Sequence, residues 1–370
     1  MKEGWEYIAL SSVCKVQNGF AFNSKLFNES NNGLPLIRIR DIKRGYSLTY
    51  TSEICSDEFF VEDGDMLIGM DGDFNIGEWK GGHALLNQRV CKLIPSEKIL
   101  AKFIFYFIPE ALQRINDKTA FSTVKHLSSK QVNAILLPNL PLSEQQSIVD
   151  YLDSAFAKID TMKANAEKAI NEAKALFQAS LKEMLEPKEG WEEKKFGEVC
   201  WYNKNNGIHK GTRYVGMEHI EQGTGVLLGT ISSDEVLSNT FAFSKGDVLY
   251  GRLRPYLKKV IVADFDGCCS TEIFPVQSKD IAASFLMYWF LTDEITNKVN
   301  ATCAGCRMPR GNMNDVLKFD ISYPPHSEQQ SIVDTLDSLK SKVNKLQENY
   351  NKISQECDAL KQAILRQVFE

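Results

Sequence analysis

An octapeptide that occurs twice constrains this chain more than any other feature of its sequence. SEQQSIVD stands at 143–150 and again at 327–334, and the match extends outward to PLSEQQSIVDYLDS and PHSEQQSIVDTLDS. Two matching segments of this length do not arise by chance in a chain of 370 residues. A repeat of this kind indicates that one structural unit has been duplicated. The sequence therefore predicts two similar halves.

Weaker matches extend the repeat through both halves. EGWEYIALSSVC at 3–14 corresponds to EGWEEKKFGEVC at 189–200, and GDMLIG at 64–69 corresponds to GDVLYG at 246–251. Strand-like runs (LPLIRIRDI and RYVGMEHI, RVCKLI and TEIFPV) and an apolar helical segment (99–107 and 281–289) occur in the same order in each half. We predict an α/β (α+β) fold with globular domains at 1–142 and 187–326 and helical tails at 143–186 and 327–370.

Each tail opens with a pattern typical of a helix N-terminus. The residues that form it are Pro141, Ser143 and Gln146 in the first tail and Pro325, Ser327 and Gln330 in the second. In a capping box the serine hydroxyl accepts a hydrogen bond from the amide three residues on, and the glutamine side chain reaches back. We therefore expect both tails to begin as helices with serine at the N-cap.

Apolar residues recur along both tails at alternating steps of four and three, which is the heptad pattern of a coiled coil. The predicted seam of the second tail consists of Ile332, Leu336, Leu339, Val343, Leu346, Tyr350, Ile353, Cys357, Leu360 and Ile364. The matching seam of the first tail consists of Ile148, Leu152, Ala155, Ile159, Met162, Ala166, Ala169, Ala173, Leu176 and Ser180.

The alanines of the first seam favour close packing against the larger residues of the second, so we expect the tails to pair with each other. A pseudo-two-fold arrangement of the halves makes the pair antiparallel. At about 1.5 Å per residue, each tail reaches roughly 66 Å. The alternative is that each tail is an amphipathic helix packed on its own domain.

Composition limits the classes of function. The net charge of −5 argues against binding nucleic acid through bulk electrostatics, although local basic patches remain compatible with it. The N-terminus shows no apolar signal segment, and the longest apolar stretch is too short to span a bilayer, so we expect a cytoplasmic protein with reduced cysteines. Cys303 and Cys306 form only half of a zinc site, and we expect no metal.

These motifs together resemble one known family. A Gly-Trp start, a mid-domain Gly-Asp pair and a domain end running into Pro-x-Ser-Glu-Gln-Gln before a long helix are similar to Type I restriction-modification specificity subunits. The resemblance implies two target-recognition domains that each read half of a split DNA site, helices that set the spacer, two docked methylase subunits and further restriction subunits. It also implies that S-adenosylmethionine, ATP and magnesium belong to those partners, so this chain itself is expected to need no cofactor.

Candidate DNA-reading residues are basic, amide or acidic side chains on the loops where the halves diverge, because such groups reach base edges and phosphates. In the first domain these are Arg38, Arg40, Lys43, Arg44, Asp71, Asp73, Asn75, Lys80, Asn87, Gln88, Arg89, Lys125 and His126. In the second domain they are Arg213, His219, Arg252, Arg254, Tyr256, Lys258, Lys259, Arg307 and Arg310.

Two other functions are compatible with parts of the sequence. Asp71 or Asp73 with Glu78 and Lys80 has the composition of a metal-dependent nuclease site, although the second half lacks it. A protein scaffold built on the coiled coil, without DNA binding, is the other alternative. The sequence shows neither a glycine-rich cofactor turn nor an Asn-Pro-Pro-Tyr loop, and we expect no catalytic residues.

Overall fold

The computed structural model describes residue 2 and residues 4–72, 74–118, 125–203, 205–303 and 308–370, without the side chain of Lys118. Its contacts divide the chain into two compact units. Unit 1 comprises residues 1–164 together with 353–370, and unit 2 comprises residues 165–352. Both unit boundaries fall inside long helices, so unit 1 is discontinuous in sequence.

Unit 1 combines short, mostly antiparallel strands with helices. Its strands are β1 (Tyr7–Ala9), β2 (Cys14–Asn18), β3 (Leu34–Ile37), β4 (Tyr50–Thr51), β5 (Phe60–Val61), β6 (Met66–Gly69), β7 (Asn75–Glu78), β8 (Ala84–Leu86), β9 (Val90–Pro95) and β10 (Leu136–Pro138). The helices that begin in it are α1 (Ile39–Ile42), α2 (Ala101–Lys118), α3 (Ser129–Asn133) and α4 (Leu142–Leu185). The sheets have the orders β2-β9-β6-β7, β4-β3-β8-β5 and β1-β10, and β3 runs parallel to β8.

Unit 2 repeats this architecture. Its strands are β11 (Glu192–Lys195), β12 (Cys200–Tyr202), β13 (Asn206–Gly207), β14 (Arg213–Val215), β15 (Ile231–Ser232), β16 (Thr240–Phe243), β17 (Val248–Gly251), β18 (Val260–Val262), β19 (Gly267–Ser270), β20 (Ile273–Ser278) and β21 (Asp320–Tyr323). The helices that begin in it are α5 (Phe196–Val199), α6 (Ala283–Leu291), α7 (Asp293–Ala301), α8 (Met313–Val316) and α9 (His326–Phe369). The sheet β12-β20-β17-β18 and the parallel pair β14 and β19 match their counterparts in unit 1, which confirms the predicted duplication.

The same tyrosine–aspartate bond ties a domain helix to a long helix in each unit. The Tyr288 hydroxyl on α6 donates to Asp337 on α9 at 2.5 Å, and the Tyr106 hydroxyl on α2 donates to Asp153 on α4. Burial raises the pKa of both tyrosines above the ordinary value, and the bonded carboxylates raise it further. Both hydroxyls therefore stay protonated and act as donors.

The long helices begin one residue earlier than predicted, and the predicted capping boxes are wrong. The amides of Glu144 and Gln145 both donate to the carbonyl of Pro141, which places Ser143 inside the first turn. The second glutamine of the motif is exposed, and Gln146 bonds Asp150 one turn later at 2.8 Å.

The preceding glutamine is the one that fixes each helix start. Gln329 is 0% exposed, accepts from the Ala282 amide at 2.7 Å and donates to the carbonyls of Asp280 and Pro324. Gln145 forms the corresponding three bonds, with Leu100, Lys98 and Leu140. Each glutamine therefore joins the start of a long helix to the segment that precedes α2 or α6.

Segments of α4 and α9 contact each other within each unit. In unit 1, Lys361 bonds Asp160 at 2.5 Å and Lys163 bonds Asp358 at 3.0 Å, a register that makes these segments antiparallel. In unit 2, Lys174 bonds Gln347 at 2.6 Å, and Leu185 shares a core with Leu336. None of the described helices is long and apolar enough to cross a membrane.

The predicted seam is shifted by one residue at several positions in the middle of α4 and along α9. Met162 is 57% and Leu176 is 64% exposed, and on α9 Leu346 and Leu360 are 41% and 47% exposed. The inward positions are the next residues along each helix, which include Lys163, Phe177, Gln347 and Lys361. Long polar side chains pack their apolar stems at such positions while their heads stay solvated, so a search for apolar residues alone misses them.

The shifted seam gives a stability prediction within α4. Ile170 is 3% exposed, whereas Leu176 is 64% exposed. We expect Ile170→Ala to lower the free energy of unfolding by about 2 to 4 kcal/mol, because it leaves a cavity. The matched change Leu176→Ala should stay within about 0.5 kcal/mol of the parent protein. Urea denaturation of both variants measures the difference. An equal loss of unfolding free energy in the two variants would contradict the shifted seam.

Candidate nucleic-acid interface

A pocket of about 550 Å³ in unit 1 gathers seven of the predicted DNA-reading residues. It lies beyond the ends of β3 and β6 and beside the turn that joins β8 to β9. Its lining consists of Phe27, Arg38, Ile39, Arg40, Lys43, Asp71, Asn75, Asn87, Arg89 and Val90. Four cations, two amides and one carboxylate therefore face a single concave surface, which suits a polyanion that also carries hydrogen-bonding groups.

A helical turn presents three of these cations. The predicted strand 34–42 ends at Ile37, because the buried carboxylate of Asp41 accepts a hydrogen bond from the Arg38 amide and folds the segment into α1. Among the described residues, Arg38, Arg40 and Lys43 form no ion pair, so their charges remain available. Arg44 differs, since it bonds Asp41 at 3.1 Å and lies over the ring of Tyr46.

Three predicted residues of unit 1 form a bonded group that we call cluster 1: Asp71, Arg89 and His126. The Asp71 carboxylate lies 2.6 Å from His126 Nδ1 and 3.4 Å from Arg89 Nε. Arg89 Nη1 lies 3.3 Å from the same histidine nitrogen. Cluster 1 therefore holds its acid between two basic groups at the edge of the pocket.

Unit 2 contains a corresponding group, which we call cluster 2: Arg252, Glu272 and Arg310. Glu272 Oε2 lies 3.2 Å from Arg252 Nε, and Glu272 Oε1 lies 2.8 Å from Arg310 Nε. The Arg252 guanidinium also lies 5.3 Å from the centre of the Phe274 ring. One carboxylate therefore holds two arginines.

Backbone bonds show that the clusters occupy equivalent places. The Met70 amide donates to the carbonyl of Arg89, and the Arg252 amide donates to the carbonyl of Glu272. Isolated bridges join Asp71 to His126 and Leu253 to Arg310. The position that the anion Glu272 occupies in unit 2 is thus occupied by a cation, Arg89, in unit 1. Sequence comparison missed Glu272, because matching RVCKLI to TEIFPV letter by letter pairs Arg89 with Thr271 instead.

The remaining candidates of the basic loop in unit 2 divide into exposed and tethered residues. Arg254 and Tyr256 are exposed, and Arg254 has a left-handed backbone with a φ of 52°. The Lys258 ammonium bonds Asp293 at 2.5 Å, and the Lys259 ammonium donates to the Met217 carbonyl at 2.6 Å. The lysines therefore brace the loop, while Arg254 and Tyr256 extend from it.

Two further candidates in unit 2 make contacts within the protein. The Arg213 guanidinium lies 3.3 Å from the centre of the Phe265 ring. His219 Nδ1 accepts a hydrogen bond from the Gly216 amide at 2.9 Å, as Asp41 does for Arg38 in unit 1. The strand predicted for RYVGMEHI therefore ends at Val215, and His219 stabilises the turn that follows.

The other candidates of unit 1 lie outside its pocket lining. Lys80 pairs with Glu78 at 3.9 Å, Gln88 is exposed, and Lys125 donates to the Asn116 carbonyl. Asp73 and Arg307 lie outside the described residues.

Among the described residues of the nuclease constellation, Asp71 does not lie beside Glu78. The register of β6 and β7 pairs Glu78 with Met66, so Glu78 lies about five residues along the strands from Asp71, roughly 16 Å away. Within the described ranges, no group of three or more His, Cys, Asp or Glu could hold a metal ion. Cys306 lies outside those ranges.

A duplicated domain with polar clusters at equivalent positions is typical of the class of proteins that carry two related binding sites on one chain. The family model described as the Type I restriction modification DNA specificity domain matches the chain twice, at residues 2–172 and 188–355. The chain therefore belongs to the Type I restriction-modification DNA specificity family.

Named relatives agree with this assignment. The EcoBI specificity subunit of Escherichia coli is 42% identical over 180 residues, which span 48% of this chain and 38% of that relative. The EcoDI specificity subunit of Escherichia coli is 26% identical over 343 residues, covering 82% of this chain and 77% of that subunit. A solved chain, from work on complex assembly and conformational transition of the type I R-M system, superimposes with a TM-score of 0.72. It is 19% identical and covers 100% of this chain and 98% of its own, which shows the fold alone.

Proposed function

We propose that this chain is the DNA sequence-specificity subunit of a Type I restriction-modification complex, in which each domain reads one half of a bipartite target. The observation that carries this proposal is the pair of equivalent clusters with different side chains. Two copies of one domain that read different half-sites need the same scaffold and different contact residues.

The two domains offer different hydrogen-bonding groups. The unit 1 pocket contains Asn75 and Asn87, whose amides suit adenine, beside unpaired cations that suit phosphate oxygens. Unit 2 presents Arg252, Arg254 and Arg310, and arginine favours guanine. The Gln88 and Lys80 side chains belong to the proposed surface of the first domain, and Tyr256 to that of the second.

We further propose that α4 and α9 form an antiparallel coiled coil that sets the spacer between the half-sites. The antiparallel register within unit 1 and the Lys174–Gln347 bond within unit 2 support this. Leu152, Ile159, Ala166 and Ala173 are common to the predicted seam and to the inward face of α4.

The repeated octapeptide supports docking of the same partner twice. Its serines, glutamate, second glutamine and aspartate are exposed in both copies, at 143, 144, 146, 147 and 150 and at 327, 328, 330, 331 and 334. Packing does not constrain such residues, so their identity in both copies favours two copies of one partner, here the methylase subunit. The methylase would supply S-adenosylmethionine chemistry, and restriction subunits would supply ATP- and magnesium-dependent cleavage, so this chain would contribute no catalytic residue.

Methylation mapping in a host that carries this chain and its methylase tests the function directly. A bipartite methylated sequence supports the proposal. Methylation that does not depend on this chain, or a target with one undivided element, overturns it.

A double variant tests the assignment of the arginines. Arg252→Ala with Arg254→Ala should relax recognition of one half-site by about 1 to 3 kcal/mol for each bidentate contact and leave the other half-site unchanged. The control, Lys298→Ala with Lys318→Ala, removes the same charge from other exposed sites of unit 2. Competition binding with duplexes mutated in either half gives the discrimination ratios. Equal weakening in both variants would show that the arginines contribute charge alone.

A further inference from the structure

We propose that Glu272 is a positioning residue for specificity, which orients Arg252 and Arg310 so that the second domain selects guanine at its half-site. This inference rests on the proposed function and deepens it. It concerns a carboxylate that does not itself contact DNA but determines how two arginines do.

Glu272 is held in a fixed position. Its side chain is 21% exposed, and its amide donates to the Ser270 hydroxyl oxygen at 3.2 Å, which fixes the turn between β19 and β20. Arg252 lies at the end of β17, and Arg310 lies in the bridged segment that follows α7. Because the three residues come from separate parts of the fold, the carboxylate defines where the two guanidinium groups meet.

Each guanidinium keeps one edge that does not contact the carboxylate. Both arginines use Nε to bond the carboxylate. Each guanidinium is a rigid plane, so a bond on its Nε side leaves the terminal Nη groups pointing away as a fork of donors. Among the described residues, the Nη groups of Arg252 bond no acceptor, and Arg310 Nη1 reaches only the Met308 carbonyl at 3.4 Å. A fork of this kind matches guanine O6 and N7.

The Glu272 carboxylate also offsets part of the positive charge of the two arginines. Without the carboxylate, two guanidinium groups in one place repel each other and lose a common orientation. With it, the cluster keeps one net positive charge in a defined geometry. Glu272 therefore weakens the non-specific attraction of the cluster for DNA phosphates and increases its specificity for one base.

Cluster 1 shows the opposite arrangement at the same position. Arg89 occupies the place of Glu272, and its Nε and Nη1 atoms both lie near partners, Asp71 and His126. The first domain therefore cannot present two oriented guanidinium forks there. The opposite charges of Arg89 and Glu272 at this equivalent position give the two domains different base preferences on one scaffold.

The experiment compares Glu272→Gln with Glu294→Gln in the full chain bound to its methylase. Glu294 is an exposed residue that pairs with Lys298 at 2.7 Å, so its variant loses the same charge and one ion pair. The probes are a duplex carrying the mapped target, duplexes with single substitutions in each half, and a random-sequence duplex. Thermal denaturation checks that each variant is folded.

For Glu272→Gln we expect discrimination at one half-site to fall about tenfold, while binding to the random duplex becomes tighter and its salt dependence steepens by about one unit. Glu272→Asp keeps the charge but shortens the reach, so it should lose discrimination without the gain in random binding. Glu294→Gln should change neither ratio. A purely structural role predicts parallel loss on every duplex.

The outcomes separate this inference from the function on which it rests. If the parent protein discriminates and Glu272→Gln discriminates equally well, the positioning role is overturned and the proposed function stands. If the parent protein prefers no duplex, the proposed function fails first.

Discussion

A chain that ends at residue 352 should lose the folded structure of unit 1 while unit 2 keeps its own. Residues 353–370 supply Leu365 and Phe369, which are 7% and 6% exposed in the unit 1 core. The Phe369 ring packs edge-on against Phe103 and Phe107. Removing a buried phenylalanine alone costs about 3 to 5 kcal/mol, a large share of the roughly 5 to 15 kcal/mol by which domains are stable.

Hydrogen exchange measured by mass spectrometry, resolved by segment, follows each unit separately. The truncated chain should lose protection in β2, β6, β9 and α2, and keep it in β17, β20 and α6. The point variant Phe369→Ala should show a milder form of the same pattern. Gln367→Ala, on the exposed face of the same helix, is the control and should behave as the parent protein. Unchanged protection in unit 1 after truncation would contradict the assignment of 353–370 to its core.

The second large effect is expected at the buried glutamine of each helix start. Gln329→Leu replaces the side-chain amide with an apolar group of similar volume. It leaves the Ala282 amide and the carbonyls of Asp280 and Pro324 without their partner. Each buried polar group left unpaired costs about 1 to 3 kcal/mol, so the total loss should reach about 3 kcal/mol or more. Denaturant unfolding monitored in unit 2 measures it.

The adjacent residue provides the control. Gln330→Leu changes an exposed side chain that, among the described residues, bonds Asp334 alone at 2.8 Å, and should cost about 0.5 kcal/mol or less. Gln145→Leu and Gln146→Leu repeat the comparison in unit 1. Equal costs for adjacent glutamines would mean that the three bonds contribute nothing to the helix start.

These glutamines show where prediction from sequence reaches its limit. The tails were found because a heptad pattern sustained over many turns has few alternatives, and both helices lie one residue before the predicted ranges. The capping interaction was assigned to the wrong glutamine, because local spacing cannot show that Gln145 meets Lys98 and Leu100, which come from an earlier part of the chain.

The sequence likewise predicts which residues form the candidate interface but not the contacts that they make. Divergent loops with basic and amide residues were found from composition, and the structure brings seven of those residues into one pocket. The sequence could not show that Lys258 and Lys259 are bonded within the protein, because their partners Asp293 and Met217 lie on other elements. Glu272 could not be predicted as a site residue, because its role depends on the ion pairs that it forms with two arginines from other parts of the fold.

The discontinuity of unit 1 affects the order in which the chain folds during synthesis. Residues 165–352, which build unit 2, are synthesised before residues 353–370. The sequence of unit 2 is therefore complete while unit 1 still lacks Leu365 and Phe369, and the α4 residues Leu152 and Ile159 stay uncovered on that side until residues 353–370 emerge. The first domain to be translated is thus the last to be completed, and the nascent chain carries an open apolar helix face for the whole interval.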